Sequence, residues 1–234
     1  MISKQNKYKL ISVLEHKNYE IVDDSLFVFP DNMNMLSSII KLSNRFGIKI
    51  VPIGYGSSFD KDFSPSPNSI FLSSQKFNKM TDLDKNNSFI QVQSGHDWSE
   101  LSEKILSEGL YFPLKTQNSE SRRTIGGIFS SIKPNSAASN YFTGIEFFAP
   151  DASVIKYGTK TLKNVSGYDI IKFMAGSMGS YGFITSLTLK LSRSASSFFI
   201  HEELNEISLT RKNIKQDGFY KRLKSVMDPN LIFE

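Results

Sequence analysis

The order of elements predicts an α+β fold, in one large domain or two small ones sharing a core. Three observations carry that expectation. Ser25 to Val51 reads as one strand–helix–strand unit, the strands after residue 69 do not alternate regularly with helices, and glycine-bearing loops stand between several of the elements. At 234 residues and 39% hydrophobic content, the chain can bury a sizeable core.

Ser25 to Phe29 is a short apolar strand stopped by Pro30. Met33, Leu36, Ile39, Ile40 and Leu42 then recur at helical spacing as far as Gly47, and the β-branched run Ile48 to Val51 follows, closed by Pro52. A right-handed crossover joins such a unit. The next loop reads Ile53, Gly54, Tyr55, Gly56, Ser57, Ser58, Phe59. Its two glycines let the backbone turn with amides pointing one way, and its serines add hydroxyl donors, which is the chemistry of an anion cradle. A Rossmann fingerprint would need a third glycine at Phe59, a helix directly after it and an acidic residue about twenty positions on. The sequence continues FDKDFSPSP instead, which is a loop, so that reading fails on context.

The second region begins near Ser69. Ile70 to Leu72 and Phe89 to Val92 read as strands, and Gly95 opens a helix with Asp97 at the N-cap and Glu100 at the third position of a capping box. Trp98, Leu101, Ile105 and Leu106 form its expected buried stripe, and Gly109 ends it. After Tyr111 to Leu114 and a polar loop through Arg123 come Thr124, Ile125, Gly126 and Gly127, where paired glycines permit a close backbone approach with a hydroxyl at hand. Gly144 to Ala149 and Ser153 to Tyr157 flank a turn as a hairpin. Asp169 is placed to cap a helix running to Ala175. Gly176, Gly179 and Gly182 then recur every third residue before the alternating strand Phe183 to Leu191, a spacing suited to a chain pressed against something flat or phosphorylated.

Composition narrows the function. The net charge is +5, but the lysines are scattered rather than gathered into a stripe, so no nucleic-acid partner is expected. The absence of cysteine excludes disulfides, a thiolate nucleophile, cysteine-bound zinc, an iron–sulfur cluster held by this chain and a cysteinyl cofactor link. No metal site is expected. The N-terminal MISKQNKYKL lacks the apolar core of a signal peptide and no run reaches membrane-spanning length, which gives the expectation of a cytoplasmic protein without direct membrane insertion.

Taken together, PIGYGSS, FLSSQKFNKM, IQVQSGHDWSEL, GLYFP, TIGG, KNVSGYD and GSMGSYGFIT occur in an order that resembles the PCMH-type FAD-binding domain of the vanillyl-alcohol oxidase superfamily, in particular the small flavin-binding subunit of bacterial glycolate oxidase. FYKRLKSVMDPNLIF resembles the final helix and Asp-Pro-Asn turn of such chains. The resemblance implies two FAD-binding subdomains, over 1–68 and 69–192, then a truncated cap or linker over 193–216 and a C-terminal helix and tail over 217–234. It also implies that Pro52, Ile53, Gly54, Tyr55, Gly56, Ser57 and Ser58 cradle the FAD pyrophosphate through backbone amides. Thr124, Ile125, Gly126 and Gly127 would lie along the ribityl chain and flavin edge, and Ile184 would meet the adenine end through its backbone. Lys163 is a candidate phosphate partner.

Some departures from the family pattern are informative. Ser57 stands where members with covalently attached flavin place a histidine, so FAD binding is expected to be non-covalent. The segment after TIGG fits poorly from Ser136 to Thr143. Full oxidases of this superfamily insert a long substrate domain after the strand ending near Leu191, where this chain has only Ser192 to Gln216, with His201 as the single histidine in that linker. The resemblance thus implies an FAD-binding subunit of a 2-hydroxy-acid (glycolate-type) oxidase or dehydrogenase complex, partnered by a larger flavin subunit and an iron–sulfur subunit. A stand-alone small flavin oxidoreductase and a structural subunit that has lost FAD stay open as alternatives.

Overall fold

The computed structural model describes residues 4–12, 14–57, 59, 63–115, 122–134, 136–158, 170–194, 202–203 and 218–234. After helix α1 (Lys4–Ile11), strands β1 (Tyr19–Val22) and β2 (Ser25–Val28) form an antiparallel hairpin. Its two-residue turn, Asp23 and Asp24, takes positive φ at both positions, as a tight hairpin requires. Helix α2 (Met33–Phe46) starts where the Asn32 side chain accepts from the Met35 amide and stops at Gly47, whose φ is 61°. Leu36, Ile39 and Ile40 face the core as the spacing predicts. The fourth buried position is Ser43, whereas Leu42 is turned off that face and half-buried.

Strands β3 (Lys49–Ile53) and β4 (Ser69–Ser73) complete a four-stranded sheet in the order β1-β2-β4-β3. β2 and β3 each run parallel to β4, so the two strands of the expected strand–helix–strand unit flank a third strand instead of pairing. Pro52, expected to close β3, lies within it opposite Leu72. An edge strand can accommodate a residue without an amide hydrogen. Because β4 pairs in this sheet, the division between the sheets falls between Ser73 and Met80 and not at residue 68.

The chain continues through β5 (Met80–Asp84), β6 (Phe89–Gln93), α3 (Trp98–Ser107), β7 (Leu114–Lys115), α4 (Ile125–Ser131), β8 (Phe142–Phe148), β9 (Val154–Gly158), α5 (Ile170–Met174), β10 (Phe183–Lys190), β11 (Glu202–Glu203) and α6 (Gly218–Met227). A second, wholly antiparallel sheet has the order β5-β6-β10-β8-β9 and contains the expected β8–β9 hairpin. Asp97 caps α3 as anticipated, accepting from the Ser99 and Glu100 amides, and Trp98, Leu101 and Ile105 are buried. Leu106, by contrast, is 56% exposed.

Each sheet has its own core. Leu36, Ile40, Ile50 and Ile70 fill one, and Val92, Leu101, Phe129 and Leu187 the other. Phe148 and Phe183 come from the second sheet but pack in the first core, and so join the two. The chain passes from β10 to α6 between Lys190 and Gly218, too short a stretch for a separate domain. Beyond α6, residues 232–234 run beside β3. The Ile50 amide donates to the Ile232 carbonyl at 2.5 Å and the Glu234 amide to the Ile50 carbonyl at 2.7 Å.

Candidate cofactor site

Between the two sheets lies an open cleft lined by residues of both. Three walls enclose it. The first is the end of β3 with its loop, Pro52, Ile53, Gly54, Tyr55, Gly56 and Ser57, extended by Phe59. Thr124, Gly126, Gly127 and Ser130 form the second, over Ser74 and Ser94. The third is the entry to β10, comprising Met178, Gly179, Gly182, Phe183 and Ile184.

The loop of the first wall is tied back by its carbonyls. Gln75 Nε2 donates to the Gly54 carbonyl at 3.1 Å, and the Phe59 amide donates to the Gly56 carbonyl at 3.4 Å. Among the described residues, the amides of Tyr55, Gly56 and Ser57 meet no acceptor. Gly56 has φ +81°, and a Cβ added there would meet only the Phe59 ring, 3.8 Å away. Such a loop has donors to offer an anion and no side chain at its turn to obstruct one.

The second wall is built differently. Thr124 caps α4, and its Oγ1 accepts from the Gly127 amide at 3.1 Å. The Ile125 amide donates to the His96 carbonyl and the Gly126 amide to the Ser94 carbonyl, at 3.0 and 2.7 Å. All three amides are thus satisfied inside the protein. Gly126 is required by close approach, because a Cβ there would lie 2.7 Å from Ser94 Cβ and 2.8 Å from its carbonyl oxygen. Ile125, expected along the flavin, is fully buried in the second core and does not line the cleft; at the first helical position its side chain turns inward.

In the third wall, Gly179 packs directly on the Pro52 ring, where an added Cβ would stand 2.9 Å from two ring carbons. The flat object that the every-third-glycine spacing anticipated at this position is therefore the protein's own proline. Ile184 lines the cleft as expected, but its carbonyl already accepts from Ser94 Oγ at 2.6 Å.

At the loop, Tyr55 is clasped by Arg122, whose guanidinium carbon lies 4.5 Å from the ring centroid and whose Nη2 donates to the phenol oxygen at 3.1 Å. The same guanidinium pairs with Asp97 at 2.9 Å, joining the loop to the start of α3. Burial pushes the Asp97 carboxyl up, but the Arg122 bond and the Glu100 and Ser99 amides outweigh it and hold the group below its ordinary value. Burial is also the main cause that pushes the Tyr55 phenol up, against the Arg122 charge. Arg123 lines the cleft half-buried, and desolvation lowers its pKa.

These residues fit a dinucleotide such as FAD. Unpartnered amides, the Ser57 and Ser130 hydroxyls and the Arg123 charge suit a diphosphate, and Phe59, Met178, Phe183 and Ile184 suit flat rings. Ser58, Lys163, Asp169 and His201 lie outside the described residues. His16 and His96 do not line the cleft, and among the described residues no cluster of histidines and carboxylates could hold a metal. Ser74, Ser94, Ser130, Arg123 and Met178 were not anticipated as cleft residues. Their type alone carries no signal, and only pairing across the sheets brings them together.

A family profile described as an FAD binding domain matches residues 25–158, more than half of the chain. The chain is 28% identical over 184 residues to a mitochondrial D-lactate dehydrogenase [cytochrome] of Arabidopsis thaliana, covering 76% of this chain and 32% of that protein. It is 26% identical over 217 residues to glycolate oxidase subunit GlcD of Bacillus subtilis, covering 82% and 45%. The chain therefore spans less than half the length of these relatives. Alkyldihydroxyacetonephosphate synthase has the same fold, with a TM-score of 0.66 at 16% identity over 82% of this chain and 41% of that one. With a matching profile, the shared fold and a cleft suited to a dinucleotide, the chain belongs to the PCMH-type FAD-binding domain family, and FAD is its cofactor.

Proposed function

We propose that the cleft binds FAD non-covalently and that the chain serves as the FAD-binding subunit of a 2-hydroxy-acid (glycolate-type) dehydrogenase complex. The observation that carries this reading is the first-wall loop, whose amides are unpartnered among the described residues while its carbonyls are tied back. Those amides, with Arg123, hold the diphosphate, and the cleft floor positions the rings. Bound flavin supplies the acceptor for a hydride or electrons from the substrate carbon. This chain's part is position and electrostatics. None of the described cleft-lining residues is a histidine, aspartate or glutamate, so the group that takes the substrate proton comes from elsewhere, in our reading a larger flavin subunit. An iron–sulfur subunit then receives the electrons, since this chain has no cysteine to hold such a cluster. The complex resides in the cytoplasm, peripheral to the membrane through its partners. The names of the D-lactate dehydrogenase and glycolate oxidase relatives support the substrate class.

The test is a visible absorption spectrum of the purified protein before and after acid precipitation. Yellow protein that releases FAD into the supernatant is the expected result. A colourless protein that takes up no added FAD would overturn the proposal and favour a structural subunit.

A further inference from the structure

Lys224 on α6 is buried, with 11% of its side chain exposed. An ammonium in such a place is tolerated only when its donors are paired. This one donates to the Ser180 carbonyl, to Asp228 Oδ2 at 2.7 Å and to the Phe233 carbonyl at 2.5 Å. Asp228, fully buried, accepts in turn from the Ile232 and Phe233 amides at 3.0 and 2.8 Å. The three segments gathered here have different places in the fold. Ser180 lies between Gly179 and Gly182 of the third wall without itself lining the cleft, whereas residues 232–234 run beside β3, the strand that ends in the first-wall loop. One side chain therefore connects, through the C-terminal segment, the two walls that meet where Gly179 packs on Pro52.

We infer that Lys224 is a positioning residue for the cofactor. Its clamp with Asp228 fixes the first and third walls relative to one another, so that FAD retention and docking of residues 228–234 are coupled. The inference rests on the FAD reading given above. Coupling between two sites is reciprocal, so FAD must also strengthen docking of the C-terminal segment, although Ile232 and Phe233 do not line the cleft.

The experiment has two readouts. FAD affinity is measured by fluorescence titration for the wild type and for Lys224→Met, which is unbranched, close to lysine in length and without donors. Hydrogen exchange of the Ile232 and Phe233 amides is followed in the wild type with and without FAD. The clamp predicts that the dissociation constant rises at least about tenfold in the variant, about 1.4 kcal/mol, and that FAD slows both amides. Wild-type protein that binds no FAD would overturn the functional proposal and this inference with it. Unchanged exchange in wild-type protein that does bind FAD would overturn the clamp alone, whatever the variant does, because its loss of binding would then report general loosening. Equal affinity in a folded variant would overturn it as well. Should the variant not fold, the exchange measurement decides.

Discussion

The first and second walls of the cleft both pair glycines with hydroxyl residues, yet they use their backbone amides for opposite ends. In the loop at Gly54 to Ser57, the carbonyls are held by the protein and three amides are left without a partner among the described residues. From Thr124 to Gly127, the amides of Ile125, Gly126 and Gly127 are consumed by His96, Ser94 and Thr124. The former is built to meet a ligand. The latter brings a short helix against β6 and its following turn, and contributes shape to the cleft rather than donors. A glycine motif thus becomes a binding motif only when its hydrogen-bond donors remain unsatisfied by the fold.

Substitutions can break that contrast. The largest effect is expected from Gly126→Ala, where the new methyl would press on the Ser94 backbone. Overpacking of this kind costs about 1–3 kcal/mol, and calorimetry should show the melting temperature falling by about 2–4 °C per kcal/mol. An unchanged melting temperature would remove the case for a packing glycine. Gly56→Ala comes next. It meets no close atom but must hold φ near +81°, a strain of about 1–2 kcal/mol. Its principal effect should be on FAD, with the dissociation constant rising at least about tenfold in a protein that still folds. If affinity changes no more than in Gly126→Ala, the two walls are not distinct.

Thr124→Ala removes the cap of α4 and should cost about 1 kcal/mol, whereas Thr124→Ser should retain most of the stability, both by thermal melts. The smallest stability change is expected from Arg122→Ala, because that side chain is 64% exposed. Its signature is in pH. The folded state holds the Asp97 carboxyl below its ordinary value, so this stabilisation is present above that ordinary value and disappears as pH falls through the lowered one. Without Arg122 the depression shrinks. Acid denaturation of the variant should therefore show a weaker pH dependence below the ordinary carboxylate range, and an identical profile would mean that Arg122 does not set the Asp97 charge.

Local signals were legible in the sequence where they are strong. The spacing of Leu36, Ile39 and Ile40, the caps at Asp97 and Gly47, and the β8–β9 hairpin all depend on neighbours within a few residues, and each formed as read. β1 and β5 gave no comparable pattern, because half-exposed edge strands need little apolar alternation. α4 gave no apolar periodicity of its own, because two glycines stand in its first turn, a composition that disfavours helix until tertiary packing supplies the energy. Among candidate site residues, eleven fall among the described positions and all except Ile125 line the cleft. Arg123, Ser94 and Met178 join them only through pairing between distant strands, which no local spacing records.

The strip formed by residues 232–234 along β3 also has a consequence for the order of assembly. During synthesis the strands of the first sheet emerge early, but the outer edge of β3 has its partner only once residues 232–234 have followed. Until then an apolar strand with unpaired backbone groups is open to pairing with another nascent chain, the hazard that exposed edges carry. A nascent chain whose emerged part ends before Ile232 is expected to be more prone to self-association than one that has emerged through Glu234, and equal behaviour of the two would show that the edge is protected in some other way.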